Sequence, residues 1–161
     1  MLLSLATPLP APGEALPPVS LDESLWPLVV VKFGRSATAK DLDAYLSARS
    51  AWLRREEPHL CIIDARQASL PATQLRQRYI DWLRDNALQL RHWLVGSAYI
   101  MESPAVRMMM SVIRHCAAMT TPFLVTASLT PAATWAAERF QAEGLAQAAA
   151  RVRAHYALAS S

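Results

Sequence analysis

Glycine is scarce in this sequence, with only four among 161 residues. A phosphate-binding loop uses closely spaced glycines so that backbone amides can approach an anion, and the sequence contains no such loop. It also contains neither a G-x-S-x-G nucleophile elbow nor an H-E-x-x-H metal motif. We therefore predict no catalytic residue and no cofactor, and we expect that the protein is not an enzyme.

Cysteine is also scarce, and Cys61 and Cys116 lie too far apart for a disulfide framework or a zinc ribbon. A zinc site that adds His59 and His115 would need two well-spaced pairs of ligands. His59 and Cys61 share one strand face, whereas His115 and Cys116 diverge by about 100° on a helix. We predict no metal site and interpret all four as structural. An enzyme that uses them is the least favoured alternative.

Long apolar runs and blocks of like charge are missing as well. No stretch approaches the roughly 18 apolar residues of a membrane helix, so we predict no integral membrane segment. The net charge of +3 comes from interspersed acidic and basic residues, which argues against a nucleic-acid partner. Residues 1–18 contain five prolines and no basic region, so we expect a flexible tail, no signal peptide and a cytoplasmic protein.

The most informative stretch that is present is the apolar run 60–63, which ends in Asp64 and Arg66. A half-exposed strand would alternate apolar and polar residues, so this run predicts a strand buried on both faces. Open α/β sheets bind their ligands at the carboxyl ends of the strands. Asp64 and Arg66 therefore mark a candidate functional edge, although an ordinary ion pair is the simpler interpretation.

Strand and helix patterns alternate along the chain. They predict an α/β protein with a single mixed, mostly parallel sheet of five strands and an antiparallel pair at its N-terminus. Small residues at 96–98 predict that a helix packs closely there. The strands are expected near 19–21, 28–33, 59–64, 94–101 and 122–127, and the helices over 38–57 and 71–93, after Ser103, after Thr130, and over 145–156.

Helix starts are marked by hydroxyl residues. Thr38 and Asp41 have the spacing of a capping box, and Ser103-Pro104 and Thr130-Pro131 each place an N-cap before a first-turn proline. The first helix then repeats mostly apolar residues at helical spacing. These are Leu42, Tyr45, Leu46, Arg49, Trp52 and Leu53.

Five segments in this order give the chain a resemblance to the small bacterial STAS or SpoIIAA-like proteins, which are related to the Sec14-type lipid-binding fold. The segments are Trp-Pro-Leu-Val-Val-Val at 26–31, Cys-Ile-Ile-Asp at 61–64, Gly-Ser-Ala-Tyr-Ile at 96–100, the helix start 103–107, and Ala-Thr-Trp-Ala at 133–136. The resemblance covers residues 19–143. It implies one STAS-like domain over 19–161 that acts in bacterial regulation by contacting a protein partner.

STAS domains that act as anti-sigma-factor antagonists carry an Asp-Ser-Ser-Gly-like motif at the helix after the central strand. Residues 69–73 read Ser-Leu-Pro-Ala-Thr here, which argues against a phosphorylation switch at Ser69 or Thr73. The helix starts near Pro71 and Pro104 would instead present free amides to an acidic partner. The predicted partner-binding residues are Arg66, Gln67, Ser69, Thr73, Ser103 and Arg107.

Met108, Met109 and Met110 are consecutive, and three consecutive helical residues span about 200°, so at least one must be exposed or lie in an interface. Together with Trp82, Trp93 and Trp135 they could line a pocket, which gives the alternative function of a carrier or sensor for a small apolar or lipid-like ligand. An exposed edge strand and the amphipathic last segment also make a homodimer an expected alternative.

Overall fold

A computed structural model describes residues 18–35 and 37–159, so most of the predicted tail lies outside the described residues. Its centre is one five-stranded sheet in which the strands lie side by side in chain order. The first pair is antiparallel and the other pairs are parallel, which confirms the predicted α/β fold and its N-terminal antiparallel pair. The strands are β1 (Val19–Leu25), β2 (Leu28–Phe33), β3 (His59–Asp64), β4 (Leu94–Ile100) and β5 (Phe123–Thr126).

Within the described residues, six helices cover the two faces of this sheet. They are α1 (Ala39–Arg54), α2 (Thr73–Asp85), α3 (Ala87–Trp93), α4 (Pro104–Cys116), α5 (Leu129–Ala142) and α6 (Ala146–His155). Helices α1 to α4 share one apolar core with the sheet, and α5 and α6 form a second core on the other face. Because each parallel crossover has the same hand, α1 to α4 all lie on one side. Residues 60–63 are therefore buried on both faces, as predicted.

Of the three helix starts predicted from hydroxyl residues, two are confirmed. The Thr38 hydroxyl accepts from the Asp41 amide at 3.3 Å, and the Asp41 carboxylate accepts from the Thr38 amide at 2.8 Å. Ser103 caps α4 by accepting from the Val106 amide. The predicted start at Thr130 is wrong, because α5 begins at Leu129 after an extended Ser128. Its proline still falls in the first turn, where a missing N–H breaks no helical bond.

The helix predicted over 71–93 is divided in the structure. It begins at Thr73 and breaks at Asn86, whose backbone leaves helical geometry and whose side-chain amide donates to the Trp82 carbonyl at 2.8 Å. Asparagine favours such breaks because its side chain competes with the backbone for helical hydrogen bonds. The prediction of one continuous helix is therefore wrong, although both pieces pack into the same apolar core.

Gly96 in β4 is the point where α5 approaches the sheet most closely. A Cβ atom at this position would lie 2.7 Å from Cη2 of Trp135, well inside van der Waals contact. The indole therefore rests directly on the backbone of β4, in agreement with the close helix approach predicted from the small residues at 96–98. Trp135 thus belongs to the core on the α5 face.

Candidate functional site

A cavity of about 130 Å³ lies at the carboxyl edge of the sheet, on the face covered by α1 to α4. Its sheet side is formed by Phe33 at the end of β2, Ile63 near the end of β3 and Met101 just after β4. Since these three strands are parallel, their carboxyl ends meet at one edge, where open α/β sheets usually place a ligand. The chain order of the strands thus positions the site.

The helix side of the cavity is apolar, and polar groups are concentrated on its rim. Its helix-side lining consists of Leu42 from α1, Leu75 and Tyr79 from α2, and Val106, Met109, Met110 and Ile113 from α4. The rim includes Arg35, Thr38, Ser69 and Leu70, which are exposed, and the half-buried Arg76. An apolar interior with a few polar groups is the usual form of a small-molecule site.

The three consecutive methionines divide between the cavity and solvent. Met110 is buried and Met109 is half-buried, and both line the cavity, whereas Met108 is 67% exposed. This confirms the prediction that not all three could face the sheet. None of the three tryptophans proposed as further lining residues lines the cavity. That part of the predicted pocket is wrong, because Trp82 and Trp93 pack elsewhere in the same core and Trp135 lies on the opposite face.

A buried polar cluster, formed by Tyr45, Arg49 and Tyr79, adjoins the cavity. The two hydroxyl oxygens lie 3.0 Å apart, and Nη1 of Arg49 donates to Tyr45 at 3.3 Å and to Tyr79 at 3.2 Å. Arg49 is only 3% exposed, although arginine is almost never fully buried unless it is paired. Of the three residues, Tyr79 alone also lines the cavity.

The Tyr45–Arg49–Tyr79 cluster has more donors than acceptors. Burial raises the pKa of both tyrosines against the opposing effect of Arg49, so both hydroxyls are neutral at physiological pH. One of them donates to the other, which leaves one hydroxyl hydrogen without an acceptor in the cluster. Nη2 of Arg49 has no hydrogen-bond partner among the residues that the structure describes.

No described carboxylate forms an ion pair with Arg49. Burial also raises the pKa of the neighbouring Cys61 thiol, so no thiolate neutralises the guanidinium. The indole of Trp82 lies 4.9 Å from the guanidinium carbon and supplies a cation–π contact. Its ring face attracts the charge but accepts no conventional N–H···O bond, so the cluster keeps a net positive charge.

A second buried arginine, Arg114 in α4, has a different environment. Its Nη2 donates to the Thr121 carbonyl at 2.8 Å and its Nη1 donates to the Tyr99 hydroxyl at 3.0 Å. The guanidinium carbon lies 3.9 Å from the Phe123 ring centroid. Both terminal nitrogens of Arg114 are therefore bonded, which is the pattern of a structural arginine.

The predicted pair at the end of β3 forms an ion pair. Arg66 donates to Asp64 through Nη2 at 2.8 Å, through Nε at 3.0 Å and through its backbone amide at 3.1 Å. Burial opposes ionisation of Asp64, but these hydrogen bonds outweigh it and hold the pKa of the carboxyl below its usual value. Arg66 thus has a structural partner and still exposes part of its side chain.

The other predicted partner-binding residues lie at the same edge but do not form one cluster. Ser69 donates to the Arg35 carbonyl and is the only one of the six that lines the cavity. Ser103 caps α4, and Nε of Arg107 donates to the Met101 carbonyl at 2.9 Å. Gln67 and Thr73 are exposed after β3 and at the start of α2.

Metal-ligating residues are dispersed in the part of the chain that the structure describes. Within 18–35 and 37–159, no three His, Cys, Asp or Glu side chains form a group that could hold a metal ion. Cys61 is fully buried in the core and Cys116 is half-buried in α4.

Within residues 18–35 and 37–159, no helix combines the length and the apolar character needed to cross a membrane.

No sequence motif identifies the Tyr45–Arg49–Tyr79 cluster, although the sequence contains one signal for it. Helical spacing alone puts Arg49 on the buried stripe of α1, one turn after Tyr45. An arginine inside an apolar stripe requires a partner. Which partner it finds depends on how α1 packs against α2.

Comparison with protein-family models, with curated proteins and with solved structures found no significant match in any of the three. The class of this protein is therefore given by its fold and its cavity alone. It is an α/β protein with a mixed five-stranded sheet and an apolar cavity at the carboxyl edge of its parallel strands.

Proposed function

We propose that the protein binds a small apolar or amphipathic molecule in the cavity at the carboxyl edge of the sheet. The observation that carries this proposal is the cavity itself, which has an apolar interior, a polar rim and an opening to solvent. Met109 and Met110 favour ligand binding further, because methionine side chains adapt to the shape of a guest.

The size of the cavity favours a small ligand over a whole lipid. An engineered cavity of about 150 Å³ lined by leucine, isoleucine and phenylalanine binds benzene. The cavity of about 130 Å³ here is similar, so it suits one aromatic ring or a short aliphatic chain. A long acyl chain would have to extend out past the rim. We therefore propose a sensor or carrier of a small molecule and not of a complete phospholipid.

Benzene is the simplest probe of this function. We expect excess benzene to raise Tm, by about 2–4 °C for each kcal/mol that binding adds to the free energy of unfolding. Leu75→Trp places a larger side chain in the cavity and should abolish the increase. Leu88→Trp is the matched control, because Leu88 is 74% exposed and does not line the cavity. An unchanged Tm in wild type, or the same increase in the Leu75 variant, would contradict the proposal.

Contact with a protein partner, the function favoured by the STAS resemblance, is a second proposal. It is favoured by two exposed apolar side chains, Leu70 at 57% and Met108 at 67%, in segments that also carry Arg66 and Arg107. We expect charge reversal at Arg66 and Arg107 to abolish recovery of a partner that wild type recovers from its own cells. Recovery that is equal for both proteins would show that this surface is not the interface.

A further inference from the structure

We infer that the Tyr45–Arg49–Tyr79 cluster receives the acidic head group of the ligand, and that the ligand is a small carboxylic acid with an aromatic or short aliphatic body. This inference rests on the proposed function of the cavity. It adds the chemical class of the ligand and the residues that recognise it.

The first argument concerns hydrogen bonding and charge. The cluster holds one positive charge, one tyrosine hydrogen without an acceptor, and an Arg49 nitrogen without a partner among the described residues. A carboxylate supplies what the cluster lacks, since it carries one negative charge, accepts several hydrogen bonds and donates none. The hydrogen bonds that a carboxylate accepts from arginine and tyrosine are charge-assisted, so they are stronger than hydrogen bonds between neutral groups.

The second argument concerns access. Tyr79 lines the cavity, and its hydroxyl lies 3.2 Å from Nη1 of Arg49. A ligand whose body fills the cavity can therefore direct its head group to Tyr79, whose hydroxyl is hydrogen-bonded to the Arg49 guanidinium. Rim arginines such as Arg35 and Arg76 are more hydrated, and salt screens their attraction for an anion. The buried cluster is the stronger anion site.

The third argument separates a carboxylate from a phosphate. The cluster contains a single cation, and the interior of the cavity, inside its polar rim, is otherwise apolar. One buried guanidinium balances one carboxylate charge, whereas the second charge of a phosphate monoester would remain buried without a partner. The proposed ligand is accordingly a monoanion.

Benzoate, benzamide and benzene together test the inference by isothermal titration calorimetry. Benzamide has nearly the shape of benzoate but no charge, and benzene has no head group. We expect wild type to bind benzoate at least about tenfold more tightly than benzamide, which is the effect of one hydrogen bond to a charged group. Equal affinities for benzoate and benzamide would overturn the inference.

Single-site variants locate the head group. Tyr79→Phe removes one oxygen and keeps the ring, and Arg49→Met removes the charge. Each should lower the benzoate-to-benzamide affinity ratio by about tenfold or more. Tyr45→Phe should have a smaller effect, because Tyr45 neither lines the cavity nor carries a charge. Arg76→Gln tests whether the head group lies at the rim instead. Arg91→Gln, on the exposed side of α3, is the control for the loss of one positive charge.

The outcomes distinguish this inference from the proposed function. If Arg76→Gln removes the benzoate preference and Tyr79→Phe does not, the head group lies at the rim and the inference is wrong. If benzene and benzamide bind as tightly as benzoate, the cavity binds ligands without selecting acids, and only the inference fails. If no probe binds to wild type, both the proposed function and the inference fail. Circular dichroism confirms that each variant is folded.

Discussion

Replacing Arg49 by methionine is expected to increase the free energy of unfolding of the ligand-free protein by about 1–3 kcal/mol. Arg49 is 97% shielded from solvent and forms no ion pair with a described carboxylate, so folding buries its charge without full compensation. Methionine has a similar length and no charge, and the two tyrosine hydroxyls, 3.0 Å apart, can still bond each other. Urea denaturation followed by circular dichroism measures the change.

Arg114→Met is the matched control for this prediction. Arg114 is also buried, but its loss would leave the Thr121 carbonyl and the Tyr99 hydroxyl without their donor and would remove the contact with the Phe123 ring. We expect the free energy of unfolding of this variant to be lower than that of wild type by about 2 kcal/mol or more. A loss of similar size in Arg49→Met would instead mean that Arg49 is a structural residue like Arg114.

Stability changes of opposite sign in Arg49→Met and Arg114→Met would be informative about function. A residue that lowers the stability of its own protein is retained where it does something other than stabilise the fold. Arg49 is such a candidate because it places a poorly compensated charge beside an apolar cavity. Stabilisation by Arg49→Met together with loss of benzoate selectivity would be the pattern of a binding residue.

The free energy of unfolding is expected to fall by about 3 kcal/mol between pH 6.5 and pH 4, because of His59. Burial lowers the pKa of His59 to about 4, against the opposing hydrogen bond to the Glu57 carbonyl. In the unfolded chain the imidazole has its ordinary pKa near 6.5. Between these two values the unfolded state binds the proton and the folded state does not, so acid favours unfolding. The stabilisation is complete above pH 6.5 and is lost as the pH approaches 4.

Urea denaturation at several pH values measures this effect, and two asparagine variants control it. His59→Asn can keep a donor toward the Glu57 carbonyl but has no titrating group, so its stability should change much less between pH 6.5 and pH 4. His92→Asn, at an exposed position on α3, should retain the wild-type dependence. A wild-type stability that is constant over this range would show that His59 does not titrate as expected.

Much of the fold could be predicted because the relevant interactions are local. The capping box of Thr38 and Asp41 and the N-cap of Ser103 involve residues three positions apart, so sequence spacing alone identifies them. The continuous apolar run at 60–63 similarly predicts a central strand, since only burial on both faces suits it. The predicted helix boundaries were less accurate at Asn86, whose side chain competes with the backbone for the Trp82 carbonyl, and at Ser128, which precedes α5 without a side-chain cap.

Local periodicity was sufficient to predict the order of the elements, the buried central strand and the division of three methionines between core and solvent. The mixed sheet followed from that order, because strands joined through a helix pair in parallel. The position of Tyr45, Arg49 and Tyr79 beside one cavity, in contrast, depends on the packing of α1 against α2. Arg49 and Tyr79 are 30 positions apart, and no spacing rule relates them. Their contact depends on how two helices pack on one sheet, which is a property of the whole core.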